Sequence, residues 1–184
     1  MPAMASIAIV GDGPAGLSAA LFLAKRGEDV HVFGQEESSL HYAYLYNYLG
    51  IPAMSGTAFQ ATAKEQVTRF GAQLIDAEVT EVTAGERFTV TGVDGSVVEA
   101  DYLILAQGRQ ATIARDLGVA FGDEGVAVDD VGRTNIDRVY VAGRSVRPGR
   151  SQAIISAGDG AKVALDILER ISGGMVQDWD SPPS

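Results

Sequence analysis

Three glycines near the start of the chain have the spacing of a phosphate-binding turn. They lie in Gly11-Asp-Gly-Pro-Ala-Gly16, a G-x-G-x-x-G pattern between a short β-branched run and a helical stretch. In that context the first glycine permits a tight turn, the second lets backbone N–H groups approach a diphosphate, and the third lets the helix pack close to the strand. The helix N-terminus adds unpaired N–H groups and the positive end of its dipole. The residues predicted to bind a dinucleotide at this turn are Gly11, Gly13, Pro14, Ala15 and Gly16.

The acid that usually completes such a site is not at its expected position. About 20 residues beyond the glycines, an Asp or Glu at the end of the second strand holds the hydroxyls of the adenosine ribose. That position is Gly34 here, and Gln35, Glu36 and Glu37 follow it. Either Glu36 turns back to bind the ribose or the ribose is held more loosely. Gln35 and Glu36 are the predicted binding residues of this segment.

The flanking sequence predicts the elements that hold the glycine turn. Ser6–Val10 and Val30–Phe33 are short apolar runs of strand type, and Leu17–Arg26 between them has a helical pattern. Strand, glycine turn, helix and strand together form a βαβ unit. Because parallel strands need such a helical crossover, this unit predicts a parallel sheet.

The rest of the chain continues the alternation. Ala58–Gly71 has apolar residues at helical spacing, with Thr57 as predicted N-cap and Gly71 as predicted C′ residue. Residues 78–99 alternate valines with polar residues around Gly-containing breaks, which predicts a small antiparallel β-meander. Gln152–Ile171 is the last predicted long helix.

The predicted fold is therefore α/β and Rossmann-like, a parallel five-stranded sheet with flanking helices and the small antiparallel β-meander. The predicted order of strands across the sheet is Ala72–Asp76, Val30–Phe33, Ser6–Val10, Tyr102–Ala106 and Val139–Ala142.

Two segments outside these elements carry aromatic residues of interest, a tyrosine-rich stretch and the C-terminal tail. Tyrosines alternate at positions 42, 44, 46 and 48, which on a strand would place all four on one face and on a loop would line a flat pocket. Trp179 is the expected docking group of the C-terminal tail. Either segment could instead form the contacts of a homodimer.

Composition excludes several classes of function. With 24 acidic and 14 basic residues the net charge is -10 and the pI about 4.5, which argues against nucleic acid or an anionic membrane as partner. No cysteine is present, so the sequence has no disulfide, thiolate metal site or redox dithiol. We see no metal-ligand spacing and no secretory signal, and expect an acidic cytoplasmic protein.

Several segments together resemble the FAD-binding part of the pyridine nucleotide-disulfide oxidoreductases, thioredoxin reductases in particular. The likeness runs from about residue 6 to residue 171 and rests on Gly11-Asp-Gly-Pro-Ala-Gly-Leu-Ser-Ala-Ala20, Asn47-Tyr48 with Gly50, Leu103-Ile-Leu-Ala-Gln-Gly108, Arg133-Thr-Asn-Ile-Asp-Arg-Val-Tyr-Val-Ala-Gly143 and Gln152-Ala-Ile-Ile-Ser-Ala-Gly-Asp-Gly160. The resemblance implies a single FAD-binding domain over residues 1–171, with the meander of residues 78–99 inserted and residues 172–184 as a tail.

Two departures from the family pattern bear on function. The family's nicotinamide-binding domain, which carries its cysteine pair, is inserted after the segment that matches Gly108, and only a few residues separate Gly108 from Leu117 here. The family also ends its last strand with Ala-Gly-Asp, whose aspartate binds the ribitol of the flavin, whereas this chain has Ala142-Gly143-Arg144. Together with Gly34, both acidic anchors of the family pattern are replaced.

The resemblance implies a cofactor, FAD, and a set of residues around it. Beyond the glycine turn they are Asn47, Ala106, Gln107, Gly108, Gly143, Arg144, Gln152 and Ala153. The ring is expected near Asn47 and Gln152, where N–H groups at the start of the last helix would stabilise negative charge on a reduced flavin. Arg144, with Arg147 and Arg150 close by, is either an anion site for the diphosphate or a solvated basic loop. No catalytic residue can be named.

The implied function is an FAD-dependent oxidoreductase or electron-transfer flavoprotein without its own dithiol. Its electrons would come from an external donor, which could be NAD(P)H, a reduced ferredoxin or another flavoprotein. Two alternatives stay open. One is a reductase that binds NAD(P)H at the glycine turn, and the other is a non-catalytic nucleotide-sensing domain.

Overall fold

A computed structural model describes residues 4–34 and 38–182 of the chain. In the described ranges the strands are, in chain order, β1 Ser6–Val10, β2 Asp29–Gly34, β3 Tyr44–Leu45, β4 Met54–Ser55, β5 Gln73–Asp76, β6 Val79–Ala84, β7 Phe88–Gly92, β8 Val97–Ala100, β9 Tyr102–Leu105 and β10 Val139–Val141. The α-helices in the same ranges are α1 Pro14–Lys25, α2 Gly56–Arg69, α3 Thr112–Asp116 and α4 Ala153–Ser172.

The main sheet has five parallel strands in the order β10-β9-β1-β2-β5. This order confirms the α/β prediction and the predicted arrangement strand by strand. Strand β1 lies at the centre, with Ile7 opposite Val30 of β2 on one side and Tyr102 of β9 on the other. The strands that follow β1 are added first on one side of it (β2, β5) and then on the other (β9, β10). The carboxyl ends of β1, β2 and β9 therefore meet at the switch point where dinucleotides bind in folds of this type.

The two faces of the sheet bury different partners. Ile7 and Ile9 of β1 pack with Leu23 of α1, Val67 of α2 and Ile167 of α4. The alternate β1 residues, Ala8 and Val10, point to the other face, where they join the core formed by the meander strands β6–β8 and α3. One face is therefore covered by three long helices and the other by a small sheet and one short helix.

The antiparallel insertion matches its predicted position. Strands β6, β7 and β8 form a three-stranded antiparallel sheet over residues 79–100. Its second turn closes at Gly95, which has a φ of 85° and whose N–H donates to the carbonyl of Gly92 at 3.0 Å. A positive φ of this size favours glycine, which explains the Asp94-Gly95 signal.

Two local predictions were wrong, and a third, at the end of α2, is confirmed. The N-cap of α2 is Ser55, whose hydroxyl accepts the N–H of Ala58, so Thr57 already lies inside the helix. Gly71 does follow the C-cap of this helix, with a φ of 97°. The Trp179 side chain is 89% exposed and does not dock the tail onto the body; the tail contacts the body through Asp178, 3.0 Å from the ammonium of Lys25.

None of the helices in residues 4–34 and 38–182 is long and apolar enough to cross a lipid bilayer.

Candidate cofactor-binding site

The glycine turn joins the carboxyl ends of three strands. Gly11 has a φ of 114°, and its N–H donates to the carbonyl of Phe33 at the end of β2 at 2.8 Å. A Cβ on Gly11 would lie 2.2 Å from the carbonyl oxygen of Ala106, which follows β9. A Cβ on Gly16 would lie 1.9 Å from the carbonyl oxygen of Gly11. Both positions need glycine because backbone occupies the space of a side chain.

Gly13 differs from its two neighbours in the pattern. A Cβ there would meet no atom of the described residues within 4 Å, so this glycine faces open space. It is the N-cap residue of α1, where no side chain of the described residues caps the helix, and Pro14 occupies the first turn. Because the first N–H groups of a helix lack partners within it, the turn leaves the N–H groups of Ala15 and Gly16 available to an anion.

A second helix begins close to this turn. Gln152 is the N-cap residue of α4, again without a side-chain cap among the described residues. The side-chain amide of Asn47 donates to the side-chain oxygen of Gln152 at 3.0 Å, so the two residues predicted near a flavin ring are in direct contact. The backbone N–H of Gln152 donates to the carbonyl of Arg150 at 3.1 Å. The free donors are therefore those of the first helical turn, beginning with Ala153.

Gly143 connects the two helix starts. It follows β10 with a φ of 79°, and a Cβ on it would lie 2.9 Å from the Cβ of Ala15 and 3.6 Å from the Cβ of Ser156. Helix α4 then crosses α1 closely, since a Cβ on Gly160 would lie 2.0 Å from the carbonyl oxygen of Ala15. The N-terminal turns of α1 and α4 thus border the same loop.

The segment after β9, which includes Gln107 and Gly108, borders the candidate site mainly with backbone atoms. The side-chain oxygen of Gln107 accepts the N–H of Ile113 at 3.1 Å and so caps α3. Gly108 has a φ of 77° and open space at its Cβ position. The family pattern implied a place for Gln107 beside a cofactor, and no sequence motif indicates that its side chain caps α3.

Two buried polar groups lie unpartnered in the loop that begins at Gly143. Arg144 is half-buried, and its Nε has no hydrogen-bond acceptor among the described residues; the same is true of the hydroxyl of Ser145. Arg147 and Arg150 are exposed. Because buried polar atoms normally find partners, Arg144 and Ser145 fit a ligand with hydrogen-bonding or anionic groups. Ser145 was not among the predicted site residues.

The predicted ribose-binding residues Gln35 and Glu36 lie outside the described residues. A different acid occupies the end of β2. The carboxylate of Asp12 lies over Gly34, so a Cβ on Gly34 would be 2.4 Å from its Oδ2. Asp12 is 4% exposed, and sequence reasoning read it only as an unspecified position of the glycine pattern.

The tyrosine-rich segment is not a strand with four tyrosines on one face. Only Tyr44 and Leu45 belong to a strand, and residues 39–42 form a 3₁₀ turn. The rings of Tyr44 and Tyr46 pack at 4.7 Å, and both side chains are exposed. Tyr48 turns away and packs on Phe59 of α2 at 5.3 Å.

A cluster of titratable groups with perturbed pKa values lies in a different part of the molecule. Burial raises the pKa of the Asp166 carboxyl, but hydrogen bonds from Arg133 and Tyr140 outweigh this effect and hold the pKa below its usual value. Burial and the hydrogen bond to Asp166 raise the pKa of Tyr140 to about 12. These groups tie the second half of α4 to β10 and to residue 133, so they stabilise the scaffold behind the loop.

A cavity of about 460 Å³ also lies away from the glycine turn, between the meander and α3. Its lining residues are Thr80, Glu81, Val82, Ile113 and Asp116. We call the region between the uncapped starts of α1 and α4 the groove; this cavity is not part of it.

The sheet order, the glycine turn and the two helix starts define a Rossmann-like α/β domain. The chain belongs to the pyridine nucleotide-disulphide oxidoreductase family, whose model matches residues 5–87 and 49–160. This is a family of flavin oxidoreductases, whose members bind FAD.

Two relatives of known name agree with this assignment. The chain is 31% identical over 190 residues to a thioredoxin reductase of Spironucleus barkhanus, covering 96% of this chain and 62% of the relative. It is 32% identical over 124 residues to a ferredoxin–NADP reductase of Leuconostoc citreum, covering 62% and 36%. The chain thus spans less than two thirds of the length of either relative.

A solved structure shows the same fold. The atypical thioredoxin reductase TRi from Desulfovibrio vulgaris Hildenborough superposes with a TM-score of 0.83 at 19% identity, covering 92% of this chain and 99% of the other. At this identity the likeness establishes the fold.

Proposed function

We propose that this chain binds FAD in extended form across the groove. The adenosine and diphosphate would lie at residues 11–16, and the ring near Asn47 and the start of α4. The observation that carries the proposal is the pair of uncapped helix starts, α1 and α4, which border one loop at Gly143. Two N–H-rich ends facing one groove suit a long ligand that is anionic in its middle and again at its ring.

Bound FAD would supply hydride or single-electron transfer. The protein's part is to hold and tune it. The N–H groups of Ala15 and Gly16 would bind the diphosphate, and the half-buried guanidinium of Arg144 would add a charged donor to it. The first turn of α4 would favour negative charge at the ring by about 0.3–2 kcal/mol, which raises the reduction potential of a flavin.

The proposed activity is that of an FAD-dependent oxidoreductase or electron-transfer flavoprotein reduced by an external donor. This sequence has no cysteine, so any disulfide chemistry needs thiols supplied from elsewhere. The name of one relative, ferredoxin–NADP reductase, supports NADPH and a reduced ferredoxin as candidate donors. NADH and another flavoprotein are the other candidates.

The first experiment identifies the cofactor. We expect purified protein to be yellow, or to become yellow with added FAD, and to release FAD on denaturation, detected by chromatography against FMN and NADPH standards. A colourless protein that takes up no FAD contradicts the proposal. Release of NADPH would support a reductase that binds the nicotinamide nucleotide at the glycine turn.

The second experiment identifies the donor. Under anaerobic conditions, bleaching of the flavin absorbance by NADH or NADPH alone shows that free nucleotide reduces the protein. Bleaching only after addition of reduced ferredoxin or a second flavoprotein shows a protein donor. A bound flavin that none of these reduces would point to a nucleotide-sensing domain.

A further inference from the structure

The Asp12 carboxylate lies where the ribose-binding acid of this fold belongs. That acid normally extends from the last residue of β2, which is Gly34 in this chain. A Cβ built on Gly34 would lie 2.4 Å from Oδ2, 2.6 Å from Cγ and 2.9 Å from Cβ of Asp12. The two positions therefore cannot both carry an acid, because their side chains would need the same space.

The Asp12 carboxylate is not fully satisfied by the protein around it. The Lys64 ammonium of α2 lies 2.7 Å from Oδ2. Oδ2 nevertheless has no hydrogen-bond donor of acceptable geometry among the described residues, so this lysine acts as a nearby charge and leaves bonding capacity free. A buried carboxylate with an open acceptor position is costly unless a ligand or water completes it.

The backbone of Asp12 is also fixed. Gln60 of α2 is buried, and its side-chain amide donates to the carbonyl of Asp12 at 3.0 Å. The preceding residue, Gly11, is tied to β2 through its bond to Phe33. The carboxylate is thus held between the glycine turn and α2, one residue before the open position at Gly13.

We propose that Asp12 accepts the hydroxyls of the adenosine ribose in place of an acid at position 34. The acid has moved from the end of β2 into the glycine turn, and Gly34 is the residue that makes room for it. A carboxylate at this point disfavours a ribose that carries a 2′-phosphate, so Asp12 also selects FAD over NADP(H). This inference rests on the proposed nucleotide function, and the experiment below separates the two.

The main test exchanges the two residues. We compare the parent with Asp12→Gly, Gly34→Asp and the double variant by calorimetric titration with ADP, and separately with FAD and FMN. Asp12→Gly should weaken ADP and FAD binding about tenfold or more, the loss expected for a hydrogen bond to a charged acceptor. FMN, which lacks the adenosine half, should bind all four proteins within about twofold of one another.

The double variant distinguishes ribose binding from a general effect of mutation. Gly34→Asp alone places a side chain against Asp12 and should bind ADP more weakly than the parent. In the double variant the space is free and an acid again stands beside the ribose, so affinity should return to within about threefold of the parent. A double variant no better than the weaker single variant overturns the proposal.

Lys64→Gln is the matched control for a purely structural role. It removes the cation beside Asp12 but keeps the carboxylate. If Asp12 acts only by anchoring α2, Lys64→Gln should reduce ADP affinity as strongly as Asp12→Gly and lower the melting temperature equally. Ribose binding requires instead that Lys64→Gln keep ADP affinity within about threefold while Asp12→Gly does not.

A third comparison uses ADP and 2′-phospho-ADP. The parent should prefer ADP. In Asp12→Asn the Lys64 ammonium loses its anion and becomes free to pair with a 2′-phosphate, so the preference should narrow about tenfold or reverse. An unchanged preference contradicts the selection role of Asp12.

The outcomes also separate this inference from the proposed function. If the parent binds FAD tightly and Asp12→Gly binds it equally well, the ribose role is wrong and the flavin proposal stands. If ADP binding follows the exchange but FAD does not bind, the ribose role stands and the flavin proposal is wrong. If neither ligand binds the parent, both are wrong.

Discussion

The two ends of the groove differ in whether backbone or side-chain atoms form them. The turn at residues 11–16 is made of backbone, and Gly11, Gly16 and the facing Gly160 leave no space for a Cβ. The opposite end is made of side chains, since Asn47 and Gln152 are exposed and joined by one hydrogen bond. A backbone-built end can change little without disrupting the packing of α1, β1 and α4. A side-chain-built end can change its charge and its ligand contacts while the fold stays intact.

The largest expected effect concerns the crossing of α1 and α4. Gly160→Ala should lower the free energy of unfolding by about 2–3 kcal/mol, because its Cβ would lie 2.0 Å from the backbone oxygen of Ala15. Gly158→Ala is the matched control in the same helix, where a Cβ meets no described atom within 4 Å. It should stabilise by up to about 1 kcal/mol, as alanine does for glycine in a helix.

Urea denaturation of the two variants and the parent measures this difference. Equal stability of the Gly160 and Gly158 variants would mean that α4 can shift from α1 without loss, and the contrast between a backbone end and a side-chain end would fail.

An intermediate effect is expected at Arg144, where a substitution should change the affinity for FAD and not the free energy of unfolding. Arg144→Asp should weaken FAD binding about tenfold or more, since it replaces a charged donor by an acid beside a diphosphate. Its free energy of unfolding should change by less than about 1 kcal/mol, because Arg144 makes no hydrogen bond through Nε in the described part of the chain. Arg150→Asp makes the same charge change at an exposed residue and should leave affinity within about threefold.

Flavin titration at two salt concentrations checks this prediction. If Arg144→Asp binds FAD as well as or better than the parent, Arg144 is not a diphosphate ligand, and an acid at this position serves the ribitol as in the family pattern.

The same contrast explains what the sequence could predict. The strand order follows from apolar runs in the sequence. The glycine turn follows from glycines at positions where close backbone contacts leave no room for a side chain. Pattern alone therefore predicts both features. The use of a side chain depends on neighbours that are distant in sequence. Gln107 caps α3, and Asp12 meets Gly34, which is 22 positions away. Neither contact leaves a periodic signal, so reasoning from position placed Gln107 at the cofactor and overlooked Asp12.

The N-cap prediction for α2 failed because two candidate N-cap residues lie two positions apart. Ser55 and Thr57 are both good N-cap residues, and the choice is made by tertiary packing. Helix α2 begins at Gly56, where a Cβ would lie 2.0 Å from the carbonyl oxygen of Leu40, so the 3₁₀ turn before it determines the start.

The smallest expected effect is at Asn47. Asn47→Ala removes the 3.0 Å hydrogen bond to Gln152 between two exposed side chains, so the free energy of unfolding should fall by no more than about 0.5 kcal/mol. The bound flavin should stay, while its visible absorption maxima shift, because the residue is expected beside the ring and not beside the diphosphate.

Tyr46→Ala is the control next to it, 82% exposed, and should leave both stability and spectrum unchanged. Absorption spectra and urea denaturation of both variants measure this. A large loss of stability in Asn47→Ala would mean that this segment belongs to the rigid scaffold, and an unchanged spectrum would place the ring elsewhere in the groove.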